Sequence, residues 1–240
     1  MLFGREYMPE GAGVAPDAPR KKGAARFWEI LSRDLDGIFL SGALTMLACA
    51  PAAILAGIAL WLVGPALTCL YDTILRALRD EPGFWWHTYK RVWKQSFKSS
   101  LVPGAVFTLL WTLVAYAAFV LPQMTTVSAG FALVLVLDMV LLLTLGSYYW
   151  MQNALFDAPV SKKLSNCVRM LLGFLPRTAL SAVFQLGYWL LMAVVIPRCA
   201  FIFLLTGLWL PNLLAMLAVY APVEKSLHLE EQIQAKREND

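Results

Sequence analysis

A carboxylate inside a run of leucine and valine is the first residue that could do chemistry. Asp138 sits in the stretch ALVLVLDMVLLL, near the middle of the apolar segment 127–150. At the centre of a bilayer such a group costs roughly 2.5–3.5 kcal/mol on insertion scales. Asp138 is therefore expected to face neighbouring helices or to be protonated, and not to face lipid. It would serve as an ion or proton site, as a polar contact to a partner helix, or as a core acid bonded to Gln185, Asn212 or a hydroxyl. Asp72 is a second intramembrane candidate, closer to an interface, with Arg76 four residues on at ion-pairing distance along a helix.

Nothing else resembles a catalytic constellation. His87 and His228 lie outside the apolar segments and far apart in the chain. No metalloprotease, nucleophile-elbow or phosphate-loop pattern occurs. Cys49, Cys69, Cys167 and Cys199 are widely spaced, without metal or redox spacing, and read as small packing residues. No catalytic residue, cofactor or metal is expected, and the chain is not expected to be an enzyme.

The elements that position these residues follow from composition. Of 240 residues, 59% are hydrophobic and 15% charged, with a mean hydropathy of +0.62. A soluble domain carries about 25% charged residues, so this chain lacks the polar surface to cover a water-facing globule. The net charge of +4 is held in blocks between apolar segments. That distribution fits an anionic leaflet and not nucleic acid.

Residues 38–63 are long enough to span, with Pro51 as a kink point, and Gly64-Pro65 is expected to break the helix. A shorter helix, 65–79, is marginal as a span. In the stretch FWWHTYKRVWKQSFK, Trp86, Tyr89, Trp93 and Phe97 share one helical face beside the stripe Lys90, Lys94 and Lys98, with Trp85 adjoining. An aromatic face beside a basic one predicts a helix lying in the membrane interface. Spans are expected at 101–121, 127–150, 176–196 and 200–220. A second amphipathic helix is expected at 160–175, with Val160, Leu164, Cys167, Val168 and Leu171 opposite Lys162, Lys163 and Arg169. Asp80-Glu81-Pro82 and Asp157-Ala158-Pro159 each precede an amphipathic helix and a span, which reads either as a weak parallel repeat or as chance.

The fold class expected is thus an all-α membrane protein of about six transmembrane or near-spanning helices plus two cytoplasmic interfacial amphipathic helices. Its parts are a flexible basic N-terminal arm (1–26), a helical membrane domain (27–221) and a charged cytoplasmic tail (222–240). No cleavable signal peptide is visible, so the first apolar segment is expected to act as an uncleaved insertion signal. Of the twenty Lys and Arg residues, all but Arg198 fall in four blocks that the positive-inside rule places in the cytoplasm. An even number of crossings in the bacterial cell membrane, with both termini inside, follows.

The motif Gly64-Pro65-Ala66-Leu67-Thr68 with Leu70-Tyr71, then Arg79-Asp80-Glu81-Pro82-Gly83, Tyr89-Lys90 and Phe97-Lys98, resembles the YesL-like bacterial membrane proteins. Leu47-Ala-Cys-Ala-Pro51, Asn153-Ala-Leu-Phe-Asp157, Leu175-Pro-Arg-Thr178 and the N-terminal Tyr7 to Arg20 pattern are also similar. Here Gly64 comes about eight residues later after Pro51 than in that pattern, so the first helix is expected to be longer. The resemblance implies no established activity and no catalytic residues. It implies a non-enzymatic accessory or scaffold protein beside a carbohydrate ABC transporter, with its subunits or another membrane protein as partners besides the lipid bilayer. The alternative is a small transporter or channel using Asp138. Nucleic acid is not an expected partner.

Overall fold

A chain this apolar must satisfy its backbone hydrogen bonds within each segment, and helices do so. The computed structural model describes residues 21–54, 60–81, 84–124, 126–196 and 199–227, and among them the regular elements are all helices. In chain order these are α1 (Ala24–Ile54), α2 (Leu60–Arg79), α3 (Trp85–Phe119), α4 (Leu121–Met124), α5 (Ala129–Leu155), α6 (Val160–Gly173), α7 (Leu175–Val195), α8 (Ala200–Thr206) and α9 (Trp209–Leu227). Most of the basic arm (1–20), Pro82-Gly83 and the tail from 228, with His228, lie outside the described residues, as does any reading of a leader there.

Three helical stretches are long and apolar enough to cross a membrane: Trp85–Met124, Ala129–Leu155 and Leu175–Val195. Trp209–Ala221 is a shorter apolar helix. The protein is an all-helical membrane protein.

The centre of the fold is α2, the segment expected to be marginal as a span. From Val63 through Asp72 every residue is buried, so no face of this stretch is left for lipid. It packs against α1, α3, α5 and α9. A helix wrapped on all sides by protein can carry Thr68, Asp72, Thr73 and Arg76 and still be internal.

Gly64-Pro65 does not break the chain as expected. Helix α2 begins earlier, at Leu60, and Pro65 lies inside it. Pro65 is the sixth residue of α2, past the first turn, so its missing N–H removes one intrahelical bond. Gly64 serves a crossing instead. A Cβ on Gly64 would lie 2.0 Å from the Ser100 carbonyl oxygen and 2.9 Å from the Gly104 Cα. Helices α2 and α3 touch backbone to backbone there, the close approach that small residues permit in membranes.

The first amphipathic helix and the span after it form one rod. α3 has 35 residues, about 52 Å at 1.5 Å per residue, against a hydrocarbon core of ~30 Å. Its buried line is Thr88, Tyr89, Val92, Ser96, Ser100 and Gly104, one stripe at three- and four-residue spacing facing α2. Of the aromatic face, Tyr89 therefore packs inward, Trp93 and Phe97 are half-buried and Trp86 stays exposed. Tyr89 and Val92 cluster with Cys69, Leu44, Trp85 and Trp93, and Trp85 rests where Gly37 of α1 has no side chain. Trp86, Lys90, Lys94 and Lys98 are exposed, with the Lys90 ammonium 4.5 Å above the Trp86 ring.

Helix α6 stays separate from α7, turning at Phe174. Its faces depart from expectation in part: Cys167 is buried, Leu171 packs on the core and Lys162 and Arg169 are exposed as expected, but Lys163 lies on the buried side. Val160, Leu164 and Val168 point outward, while Lys163, Cys167 and Met170 are buried. The expected sixth span is divided at Gly207, whose φ is +46°, and α9 continues without a break past Tyr220 into the start of the tail, to Leu227.

Packing is uneven along the bundle. The outer halves of α3 and α5 form an apolar hairpin in which Leu113, Phe119, Met124, Leu133 and Leu137 are each more than half exposed. In water such a surface would aggregate, and in lipid it needs no cover.

Candidate functional site

The polar side chains inside the bundle form connected groups. The first joins four helices. Lys163 Nζ (α6) donates to Asn153 Oδ1 (α5) at 2.7 Å. Asn153 Nδ2 donates to Thr68 Oγ1 (α2) and to Ser100 Oγ (α3), both at 2.8 Å. Thr68 donates to the Gly64 carbonyl at 2.9 Å, so in the 3.1 Å contact between the two hydroxyls Ser100 is the donor. All four side chains are buried. The Gly64–Gly104 crossing brings Thr68 and Ser100 together, and the turn after Leu155 folds α6 back so that Lys163 reaches the end of α5.

Lys163 is unusual in having an amide, not a carboxylate, as its hydrogen-bond partner. Burial pushes its ammonium below the ordinary lysine value, and the charge of Asp157 works in the opposite direction. Asn153 lies in the last turn of α5, where exposed carbonyls give the helix its negative end. That field favours a cation. The group is a staple holding α6 to α5 and, through Asn153, to the α2–α3 crossing.

A second group lies alongside. Tyr71 donates to Asn212 Oδ1 at 2.7 Å, Gln185 donates to Ser147 at 3.0 Å, and the Tyr148 and Thr178 hydroxyls meet at 2.8 Å. Gln185 and Asn212, both considered as partners for Asp138, are thus engaged elsewhere.

An ionic lattice closes the basic end. The backbone of α2 stops in a Schellman turn: the Asp80 amide bonds the Ala77 carbonyl and the Glu81 amide bonds the Arg76 carbonyl. Asp80 takes the left-handed position at φ +59°, where glycine or asparagine is usual. Its carboxylate accepts from Arg26 at 2.8 Å and pairs with Arg33, tying α1 to the end of α2. Burial alone would raise the Asp80 carboxyl, but the bonds and charges of Arg26 and Arg33 prevail and hold it below the usual range. Glu81 pairs with Arg76 and Arg79, and Asp72 with Arg76 at 2.7 Å. The helical i,i+4 reading of Asp72 describes this contact.

Asp138 stands apart from all three groups. It is exposed on α5, and among the described residues it makes no hydrogen bond or ion pair. The expectation that it faces the bundle is not met, because the outer half of α5 has almost no bundle to face.

The structure thus brings Gly64, Thr68, Asp72, Asp80 and Glu81 into structural roles, with Ala66 fully buried and accepting at its carbonyl from Thr45 at 3.1 Å. Sequence reasoning missed Asn153, Lys163 and Ser100 as a group. One signal was available: Lys163, Cys167 and Met170 fall on one helical line at i, i+4 and i+7.

These features define a helical membrane protein with an internally bonded polar layer and a basic, ion-paired end. Residues 36–117, from α1 through most of α3, match the family described as "Protein of unknown function, DUF624". No curated protein and no solved structure matches the chain.

Proposed function

We propose that this protein is a non-enzymatic accessory or scaffold component of the bacterial cell membrane, acting on another membrane protein. The observation that carries this is where its polar groups are used. Asn153, Thr68, Ser100 and Lys163 bond one another, and Tyr71, Asn212, Gln185 and Ser147 do likewise. These bonds occupy the groups that a transported solute would have to meet. A transporter path through Asp138 loses its support because Asp138 lies outside the bundle.

One surface open to recognition is the exposed stripe Lys90, Lys94 and Lys98 on the long first half of α3. In this reading α1, α2, α3, α5, α7 and the α8–α9 pair make six spanning or near-spanning passages, with both termini cytoplasmic. The four basic blocks support that sidedness. Association with carbohydrate ABC transport rests on the resemblance of the Gly64-Pro65-Ala66 and Asp80-Glu81-Pro82-Gly83 motifs to the YesL-like proteins.

The test is affinity co-purification from native membranes in mild detergent, comparing wild type with a Lys90/Lys94/Lys98→Glu variant. The expected result is a reproducible membrane-protein partner, sugar-transporter subunits in the narrower reading, that the variant recovers poorly. Recovery of no membrane protein above background would count against the accessory role.

A further inference from the structure

From the position of Asp138 we infer that the outer half of α5 docks a transmembrane helix of a different protein, one that carries a lysine or arginine near mid-bilayer. Asp138 is the only charged residue in the 27 residues of α5. It lies nine residues beyond Ala129, roughly 14 Å along the helix axis, which is about half the depth of the hydrocarbon core. Val134, Leu137 and Leu141 surround it on the same exposed surface. Lipid offers a carboxylate at that depth neither a hydrogen-bond donor nor a counter-charge, so an intramembrane acid faces a partner or a wet cavity. Among the described residues, the chain's own helices supply neither here.

A second copy of this chain does not supply the missing charge. A two-fold axis along the membrane normal keeps every residue at its own depth. The sequence has no lysine or arginine in 34–75, 99–161, 178–197 or 199–224, so none of its apolar segments holds a cation at mid-depth. Complementarity therefore points to a heterologous helix with a basic side chain. This deepens the accessory reading and rests on it, by naming the chemistry of the partner.

The probe is a synthetic polyleucine transmembrane peptide with one central lysine, and its all-leucine counterpart. Each is reconstituted with the labelled full-length protein in phosphatidylcholine vesicles and read by energy transfer. Wild type is expected to bind the lysine peptide about tenfold more tightly than the leucine peptide, the size of a single interhelical polar contact. Asp138→Leu is expected to abolish the difference. Because Asp138 is exposed, this variant removes no internal contact, and a melting profile matching wild type verifies that it folds. Equal binding of the two peptides by wild type overturns the inference without need of any variant. Self-association of wild type that Asp138→Leu abolishes also overturns it, by making a second copy the occupant. A native partner recovered equally by wild type and Asp138→Leu overturns it too, while leaving the accessory reading in place.

Discussion

Replacing Gly64 with alanine tests the crossing on which the polar group depends. The new Cβ would meet the Ser100 carbonyl oxygen at 2.0 Å, whereas ordinary contact begins at 3.4 Å. The oxygen belongs to the backbone and the Cβ is fixed to its own Cα, so no side chain can swing away. Helices α2 and α3 must part by about 1.4 Å, the difference of those two distances. Overpacking of that kind costs about 1–3 kcal/mol. The separation also stretches the 3.1 Å Thr68–Ser100 contact and one of the two 2.8 Å bonds from Asn153, each worth about 1 kcal/mol. A loss of about 3–5 kcal/mol is expected, seen as a marked fall in melting temperature in detergent. The assay is recovery of monodisperse protein by fluorescence-detected size exclusion after graded heating. Gly187→Ala is the internal control, since nothing lies within 4 Å of a Cβ there. In a helix interior that change should be neutral or slightly stabilising. If Gly64→Ala melts with Gly187→Ala and wild type, the backbone contact is not there and the reasoning fails.

Asp80→Asn keeps a residue tolerated in the left-handed position but removes the charge facing Arg26 and Arg33, and should cost about 3 kcal/mol in thermal or denaturant unfolding. The same pairing gives an acid limb to stability. Because the folded carboxyl lies below its unfolded value of 3.8, its contribution is full above that pH and disappears as pH falls through the lowered folded value. Melting temperatures measured from pH 6 downward should show this limb in wild type and a smaller one in Asp80→Asn. Asn153→Leu leaves the Lys163 ammonium buried without a partner and should destabilise by about 3 kcal/mol, while adding Lys163→Met should recover more than half of that in a double-mutant cycle. Cysteine labelling separates the thiols. Cys199 is exposed and should react quickly with maleimide, whereas Cys167 is buried, with its thiol pushed up to about 12 by that burial, and should react only after denaturation. With a membrane-impermeant reagent, labelling of Cys199 from outside intact cells checks the proposed sidedness.

Hydropathy read α5 and α7 well because a predominantly apolar stretch of about 20 residues with at most one charge has few alternatives to a membrane helix. The Asp72–Arg76 pair was legible because i,i+4 geometry is local. Periodicity could not tell lipid from protein on the other side of a helix face, since both are apolar. That is why the Tyr89–Trp93 face, expected on lipid, packs on α1 and α2, and why Lys163 sits on the buried face of α6 while Leu164 does not. Gly64 reads as a helix break when only its own segment is seen. Its use as a contact surface depends on Gly104, forty residues away, and no local pattern announces that pairing.

The burial of α2 on every side bears on how the chain is made. A helix handed from the ribosome to the bilayer is first tested one segment at a time against lipid, and α2, with its hydroxyls and charges, is poorly suited to stay there alone. Its Schellman stop and the Arg26–Asp80 pair involve only α1 and α2, so that hairpin can form as soon as both have emerged. Full shelter comes later, when α3 closes on Gly64 and α5 brings Asn153 to Thr68. Synthesis halted between residues 80 and 155 would therefore leave the protein's most enclosed helix as its most vulnerable one, and membrane quality control would be expected to act on chains in that interval.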